Sequence, residues 1–136
     1  MTSPDTPPVR RKRPAKPQFA QTMLVLEALV VFFGTLVAFG LRAAEPRAVW
    51  LVGGVLTLWF LVIAGMVSRP GGYALGWAGQ AMLVATTLVL PPVARPYALL
   101  MSVVFVVLWV VSLRIGARID RERAEWDAAH PGMVGP

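Results

Sequence analysis

An almost uninterrupted apolar stretch at residues 21–41, QTMLVLEALVVFFGTLVAFGL, constrains this chain more than any other feature. A helix of about 20 apolar residues is long enough to cross the hydrocarbon core of a bilayer. The stretch holds one ionisable side chain, Glu27, with no Lys or Arg beside it. It is too long for the hydrophobic region of a signal peptide, and no clear cleavage site follows. We therefore expect an uncleaved first transmembrane helix.

The composition of the chain supports membrane embedding. Hydrophobic residues make up 57% of the 136 residues and charged residues 15%, whereas a soluble domain has about 25% charged residues. The chain has no Cys and a single His, His130, near its end. This argues against disulfides, thiol catalysis and metal binding, so we predict no metal site and no cofactor. The net charge of +6 is better explained by membrane orientation than by nucleic acid, and no nucleic-acid partner is expected.

Hydropathy and proline placement divide residues 18–115 into four predicted spans, at about 19–41, 48–67, 73–90 and 97–115. None of the 12 prolines falls inside a span, and each boundary between spans holds at least one. The connections are short, which favours antiparallel neighbours. The predicted fold class is therefore all-α, a four-transmembrane-helix antiparallel bundle.

The two ends of the chain are polar. Residues 1–17 are rich in proline and in basic side chains, which predicts a disordered arm. Its positive charge either binds anionic lipid headgroups or only sets orientation. Residues 116–136 form a charged tail, which we expect to be a helical extension to about residue 129, because His130, Pro131 and Gly132 stop a helix.

The distribution of basic residues predicts the orientation. Four spans would place both termini on one side of the membrane. That side would hold ten basic residues: Arg10, Arg11, Lys12, Arg13, Lys16, Arg69, Arg114, Arg118, Arg121 and Arg123. The other side would hold three: Arg42, Arg47 and Arg95. The positive-inside rule then predicts a multi-pass protein of the inner (plasma) membrane with both termini in the cytoplasm.

Glu27 and Gln80 are the candidate intramembrane polar residues. Counted from the cytoplasmic ends of the first and third spans, they lie at about the same depth, roughly 12 Å at 1.5 Å per residue. A carboxyl and an amide can hydrogen-bond, so we predict that the two side chains meet. Two alternatives stay open: an ion pair of Glu27 with Arg69 or Arg114, and a proton or cation site at Glu27.

Small and polar residues predict the inward face of each helix, because they let helix backbones approach in lipid. Glu27 shares its predicted face with Ala20, Val31, Gly34 and Ala38, and Gln80 shares its face with Gly76, Leu83 and Thr87. The face predicted for the second span consists of Gly53, Thr57, Ala64 and Ser68. That of the fourth consists of Ala98, Ser102, Phe105, Trp109, Ser112 and Gly116.

Three sequence blocks carry a family resemblance: LEALVV around Glu27, RPGGYALGWAGQ at residues 69–80 and RIDRERAEW at residues 118–126. With them the chain resembles an uncharacterised actinobacterial family of small integral membrane proteins, known as domain of unknown function 4233. The resemblance implies four spans and assigns no activity. The chain is also similar to small multidrug-resistance transporters in having an acid in the first of four spans, but its charge bias and charged tails depart from that pattern.

These observations favour a non-enzymatic membrane component with a structural or partner-binding role. The basic cytoplasmic residues Arg69, Arg114, Arg118, Arg121 and Arg123 are the candidate partner-facing side chains. The partner would be another membrane protein or a second copy of the chain. The alternative function is a proton-coupled small-molecule transporter that uses Glu27.

Overall fold

A computed structural model describes residues 13–131 and residue 133, so the predicted disorder of residues 1–12 lies outside the described residues. The described residues form four helices: α1 (Ala15–Gly40), α2 (Pro46–Met66), α3 (Gly72–Val89) and α4 (Arg95–Ala129). No strand occurs among the described residues. The prediction of an all-α chain with four helices is confirmed.

Three of the four helices, α1, α2 and α4, are long and apolar enough to cross a membrane. Helix α3 does not reach this level, although the sequence predicted a span there. It has 18 residues, and Gln80 together with several glycines lowers its mean hydropathy. Many large apolar side chains lie on the outside of the bundle, with Phe33 58% and Leu58 62% exposed. This apolar surface indicates a membrane-embedded protein.

Helix starts follow from proline chemistry, with one departure from the prediction. Pro46 is the first residue of α2, and Pro96 is the second of α4, positions where the missing N–H removes no helical hydrogen bond. Helix α1 begins at Ala15, inside the segment predicted to be a disordered arm. Pro17 is tolerated there for the same reason, since the first four N–H groups of a helix have no partner within it.

The helices are arranged so that α1 and α3 each pack against α2 and α4 and lie diagonally across the bundle from each other. The connection between α2 and α3 is tight: Gly71 has a left-handed φ of 83°, which glycine adopts without strain. A Cβ on Gly72 would lie 2.6 Å from the carbonyl oxygens of Met66 and Val67. This turn sets the start of α3.

On α4, four of the six residues predicted to face inward are buried, namely Ser102, Phe105, Trp109 and Gly116, while Ala98 and Ser112 are half-buried. On α1 the prediction was partly wrong: Gly34 is exposed and its neighbour Thr35 is buried. Thr35 lies against Gly53 of α2, where an added Cβ would overlap the threonine side chain. Ser68, predicted to lie on the inward face of the second span, follows the end of α2 and is exposed.

Candidate functional site

A carboxyl and an amide meet at the centre of the bundle. Glu27 on α1 is fully buried and Gln80 on α3 is 2% exposed. Gln80 Nε2 donates to both carboxylate oxygens of Glu27, at 2.9 Å to Oε1 and 2.7 Å to Oε2. The predicted contact is present. Because α1 and α3 are diagonal in the bundle, this pair links two helices that otherwise contact each other little.

Glu27 has no basic partner among the described residues, where the only ion pair joins Arg118 and Glu122. The alternative in which Glu27 pairs with Arg69 or Arg114 is therefore wrong. Both arginines are exposed, whereas the carboxyl is enclosed. The amide of Gln80 is thus the group that compensates Glu27 for lost water, since buried polar groups are costly when left unbonded.

Aromatic rings pack against α3 beside Gln80, at two positions where α3 has a glycine. A Cβ on Gly76, one turn before Gln80, would lie 2.5 Å from the Trp109 ring. A Cβ on Gly79 would lie 2.8 Å from the Phe60 ring and 3.1 Å from Trp59 Nε1. The small residues of α3 therefore admit large rings from α2 and α4. We refer to Glu27, Gln80, Trp59 and Trp109 as the polar centre.

The polar centre retains unused hydrogen-bonding capacity. The buried atoms Gln80 Oε1, Trp59 Nε1 and Trp109 Nε1 have no hydrogen-bond partner among the described residues. One acceptor and two donors thus lie at or beside the turn of α3 that carries Gln80, the residue that binds the Glu27 carboxyl. The Thr86 and Thr87 hydroxyls instead donate to backbone carbonyls of their own helix, Met82 and Val84. Chemically, the hydrogen-bonded pair of Glu27 and Gln80 can hold two helices together.

A groove of about 360 Å³ lies between α2 and α3. It is open to the surface and apolar, and its lining contains no ionisable side chain: Leu51, Val52, Val55, Leu56, Met82, Ala85, Thr86 and Val89. Neither Glu27 nor Gln80 contributes to it. In the described part of the chain, no group of three or more His, Cys, Asp or Glu side chains is placed to hold a metal ion.

A second polar contact joins the start of α1 to the C-terminal extension of α4. Asp120 accepts hydrogen bonds from the backbone N–H groups of Ala15, at 2.5 Å, and Lys16, at 2.9 Å. Gly116 lies one turn earlier, and a Cβ there would overlap the Lys16 backbone. We refer to this arrangement as the α1–α4 end contact. Lys16 Nζ also lies 4.6 Å from the centre of the Tyr73 ring. Because Tyr73 is on α3, this interaction connects the start of α1 to α3 as well.

The sequence interpretation missed the α1–α4 end contact because it placed Asp120 in a solvated tail. One signal was present. The first turn of α1 has no acidic residue, and its N-cap residue, Pro14, makes no capping hydrogen bond. Free N–H groups at a helix start need an acceptor, and a carboxylate there also favours the helix dipole.

Four of the five candidate partner-facing arginines lie in the second half of α4, and the fifth lies in the α2–α3 connection. Arg69 is in the α2–α3 connection, and Arg114, Arg118 and Arg121 are exposed on α4, while Arg123 is partly buried. Arg118 Nε donates to Glu122 at 2.7 Å. This hydrogen bond raises the pKa of Arg118 above its ordinary value, so the side chain stays charged. An exposed pair of this kind adds little stability.

The pair of Glu27 and Gln80 makes a prediction for a double-mutant cycle. Glu27→Leu and Gln80→Leu should each destabilise the bundle, because each leaves one buried polar partner unbonded. The double variant should lose less than the sum of the two, by about 0.6–2 kcal/mol, the range for hydrogen bonds between membrane helices. Thermal unfolding in detergent micelles measures this coupling. Strictly additive losses would contradict a direct interaction.

A family model described as "Protein of unknown function (DUF4233)" matches residues 18–125, from the first turns of α1 to the extension of α4. No match is found among curated proteins or among solved structures. The matched region includes both residues of the central pair and Asp120 of the α1–α4 end contact. Since the match covers most of its length, the chain belongs to this family of membrane-type helical proteins, whose molecular function is not established.

Proposed function

We propose that the protein is a four-span component of the inner (plasma) membrane, with both termini in the cytoplasm, that acts without catalysis by binding a partner at its cytoplasmic end. The observation that carries the proposal is the length of α4. This helix continues without a break to Ala129, well beyond the predicted span, and ends in a charged segment.

The proposal that α3 also crosses the membrane, which makes four spans, is supported by the direction of the Gln80 side chain. The amide lies inside the bundle on Glu27, so the polar group that lowers the hydropathy of α3 does not face lipid. The outward face of α3 is made of small and apolar residues, among them Ala74, Leu75 and Ala78. A helix with this pattern can cross lipid when its neighbours satisfy its polar side.

A structural role for the central pair is supported by its enclosure. Glu27 and Gln80 are almost completely inaccessible, and the groove between α2 and α3 does not include them. A substrate path would need an opening to the carboxyl. The pair of Glu27 and Gln80 is therefore suited to stabilising the packing of the bundle. Interaction with other proteins is assigned to the exposed extension at residues 116–129.

The docking role is tested by photocrosslinking in living cells. A photoreactive amino acid is placed at Arg121 or Glu125, both exposed on the extension of α4, and at Val103 as the lipid-facing control on the same helix. We expect a discrete crosslinked protein from the two extension positions and none from Val103. A second copy of the chain would give a band at twice its mass. The same pattern from all three positions, or no discrete product, would reject the docking role.

Truncation gives an independent check, provided that the α1–α4 end contact is kept. A chain ending after Asp120 retains the acceptor for the start of α1 and removes most of the charged extension. It should stay in the membrane and lose the crosslinked partner. Retention of the partner by this shortened chain would place docking elsewhere on the molecule.

A proton-coupled transporter is the second candidate, and it is favoured by the unpartnered atoms of the polar centre. Glu27 has no ion-pair partner among the described residues, and three buried polar atoms of the polar centre, on Gln80, Trp59 and Trp109, have no hydrogen-bond partner there. An intramembrane carboxyl in such surroundings is often a functional site. Proton movement down an imposed gradient, read by a dye enclosed in proteoliposomes, should then be slower for Glu27→Gln than for the wild type. Equal rates would exclude this role.

A further inference from the structure

Helix α3 differs from the other three helices in what it needs in order to enter lipid. It is the shortest helix, and it is the one helix that is not apolar enough by itself to qualify as a span. Its middle carries Gln80, whose amide cannot be left unbonded in hydrocarbon without a large penalty. Something outside α3 must therefore compensate for this side chain if the helix is to cross the membrane.

The compensation comes from one residue. Gln80 Nε2 donates to both oxygens of Glu27, whereas Gln80 Oε1 has no partner among the described residues. The Thr86 and Thr87 hydroxyls donate to backbone carbonyls of α3 itself, so they need no hydrogen-bond partner from another helix. The hydrogen bonds that the Gln80 amide makes within the bundle therefore come from α1, although α1 is the diagonal neighbour of α3.

The order of synthesis places Glu27 in the membrane before α3 is made. Helices α1 and α2 are made first, are apolar enough to insert alone, and share the most extensive helix contact in the bundle. They present Glu27 and the Phe60 ring, which lies close to Gly79 of α3, before α3 is complete. Trp109 of α4, which covers Gly76, is made only afterwards. Of the contacts to Gln80 and its turn, those from α1 and α2 are therefore available when α3 enters.

We propose that Glu27 is the insertion partner of α3: its carboxyl receives the Gln80 amide and so draws a marginally apolar helix into the membrane. This inference rests on the proposed four-span arrangement, and it gives Glu27 a role in establishing the topology of the chain. A marginal helix is sensitive to one contact, because the ratio of inserted to uninserted chains changes about tenfold for every 1.4 kcal/mol.

Cysteine labelling tests this in the full-length protein, because the natural chain has no Cys. Single cysteines replace Ala44 in the α1–α2 connection and Val93 in the α3–α4 connection, both exposed. With four spans these two positions lie on the same side and react equally with a maleimide that cannot cross the membrane. In Glu27→Leu, labelling of Val93 should fall severalfold while labelling of Ala44 stays constant, because α3 remains outside the membrane on the opposite side.

Adding Gln80→Leu to Glu27→Leu should restore Val93 labelling, since α3 then carries no amide that needs a partner. Phe105→Ala is the matched control: it removes a buried side chain of α4 and keeps both Glu27 and Gln80, and it should leave the labelling pattern unchanged. Labelling is read on intact cells within a short pulse of synthesis, with the maleimide added outside, so a variant that later unfolds is still measured.

The outcomes separate the two proposals. Wild-type Ala44 and Val93 on opposite sides would reject the four-span arrangement itself. Equal labelling in the wild type, unchanged by Glu27→Leu, would leave four spans standing and overturn the role of Glu27. Loss of Val93 labelling that Gln80→Leu does not restore, or that Phe105→Ala also causes, would attribute the effect to general damage and likewise overturn the inference.

Discussion

Trp109→Ala is expected to lower the free energy of unfolding by about 3 kcal/mol, the largest loss that we expect from truncating one side chain of the bundle. Trp109 is completely buried, and its ring fills the space that Gly76 leaves on α3. The value lies at the low end of the range of about 3–5 kcal/mol for truncating large aromatic side chains in water-soluble cores. In a bilayer, lipid is as apolar as the core, so the loss comes from the cavity and the missing contacts. Thermal unfolding in bicelles measures it.

Trp109→Phe separates ring contacts from hydrogen bonding. Trp109 Nε1 has no partner among the described residues, so replacing the indole by a phenyl ring leaves no acceptor unbonded. We expect a loss below about 1.5 kcal/mol, as for conservative apolar replacements in a core. A loss as large as that of Trp109→Ala would mean that the indole N–H is bonded to a group that the described residues do not provide.

Gly116→Ala is expected to cost about 2–4 kcal/mol, an effect of similar size with a different cause. The new methyl group would overlap the Lys16 backbone, and backbone cannot rotate away as a side chain can. Forcing a methyl group into a filled contact costs about 1–3 kcal/mol. Displacing the start of α1 also removes the Asp120 acceptor from Ala15 and Lys16, worth about 1 kcal/mol for a helix cap. The same unfolding measurement applies.

Gly34→Ala is the matched control, since Gly34 lies within α1 and an added Cβ meets nothing within 4 Å. A glycine inside a helix is less favourable than alanine by about 0.5–1 kcal/mol, so this variant should be stabilised. The same chemical change thus has opposite signs at the two positions. Stabilisation at both would show that α1 and α4 are not in close contact at Gly116.

The parts of the fold that the sequence predicted are those marked by polarity or by proline. Helix bounds follow the prolines, and Glu27 and Gln80 could be paired because each is the most polar group in the middle of its helix. The inward face of α4 was readable because Ser102, Trp109 and Gly116 recur at helical spacing and are buried.

The parts that were missed lack such a mark. In a membrane helix the lipid side and the inner side are both apolar, so Gly34 and Thr35 of α1 could not be ranked by hydropathy. The close approach of Thr35 to Gly53 on α2 decided between them. The contact of Asp120 with Ala15 joins residues 105 positions apart in sequence, and no local pattern reports a pairing over that distance.

The α1–α4 end contact has a consequence for how the molecule becomes complete. The beginning of the first helix stays without its acceptor until a residue close to the end of the last helix has been made, since Asp120 provides that acceptor. A chain released from the ribosome before this point leaves the first N–H groups of α1 without that acceptor, so the folded bundle differs between chains that reach Asp120 and chains that do not.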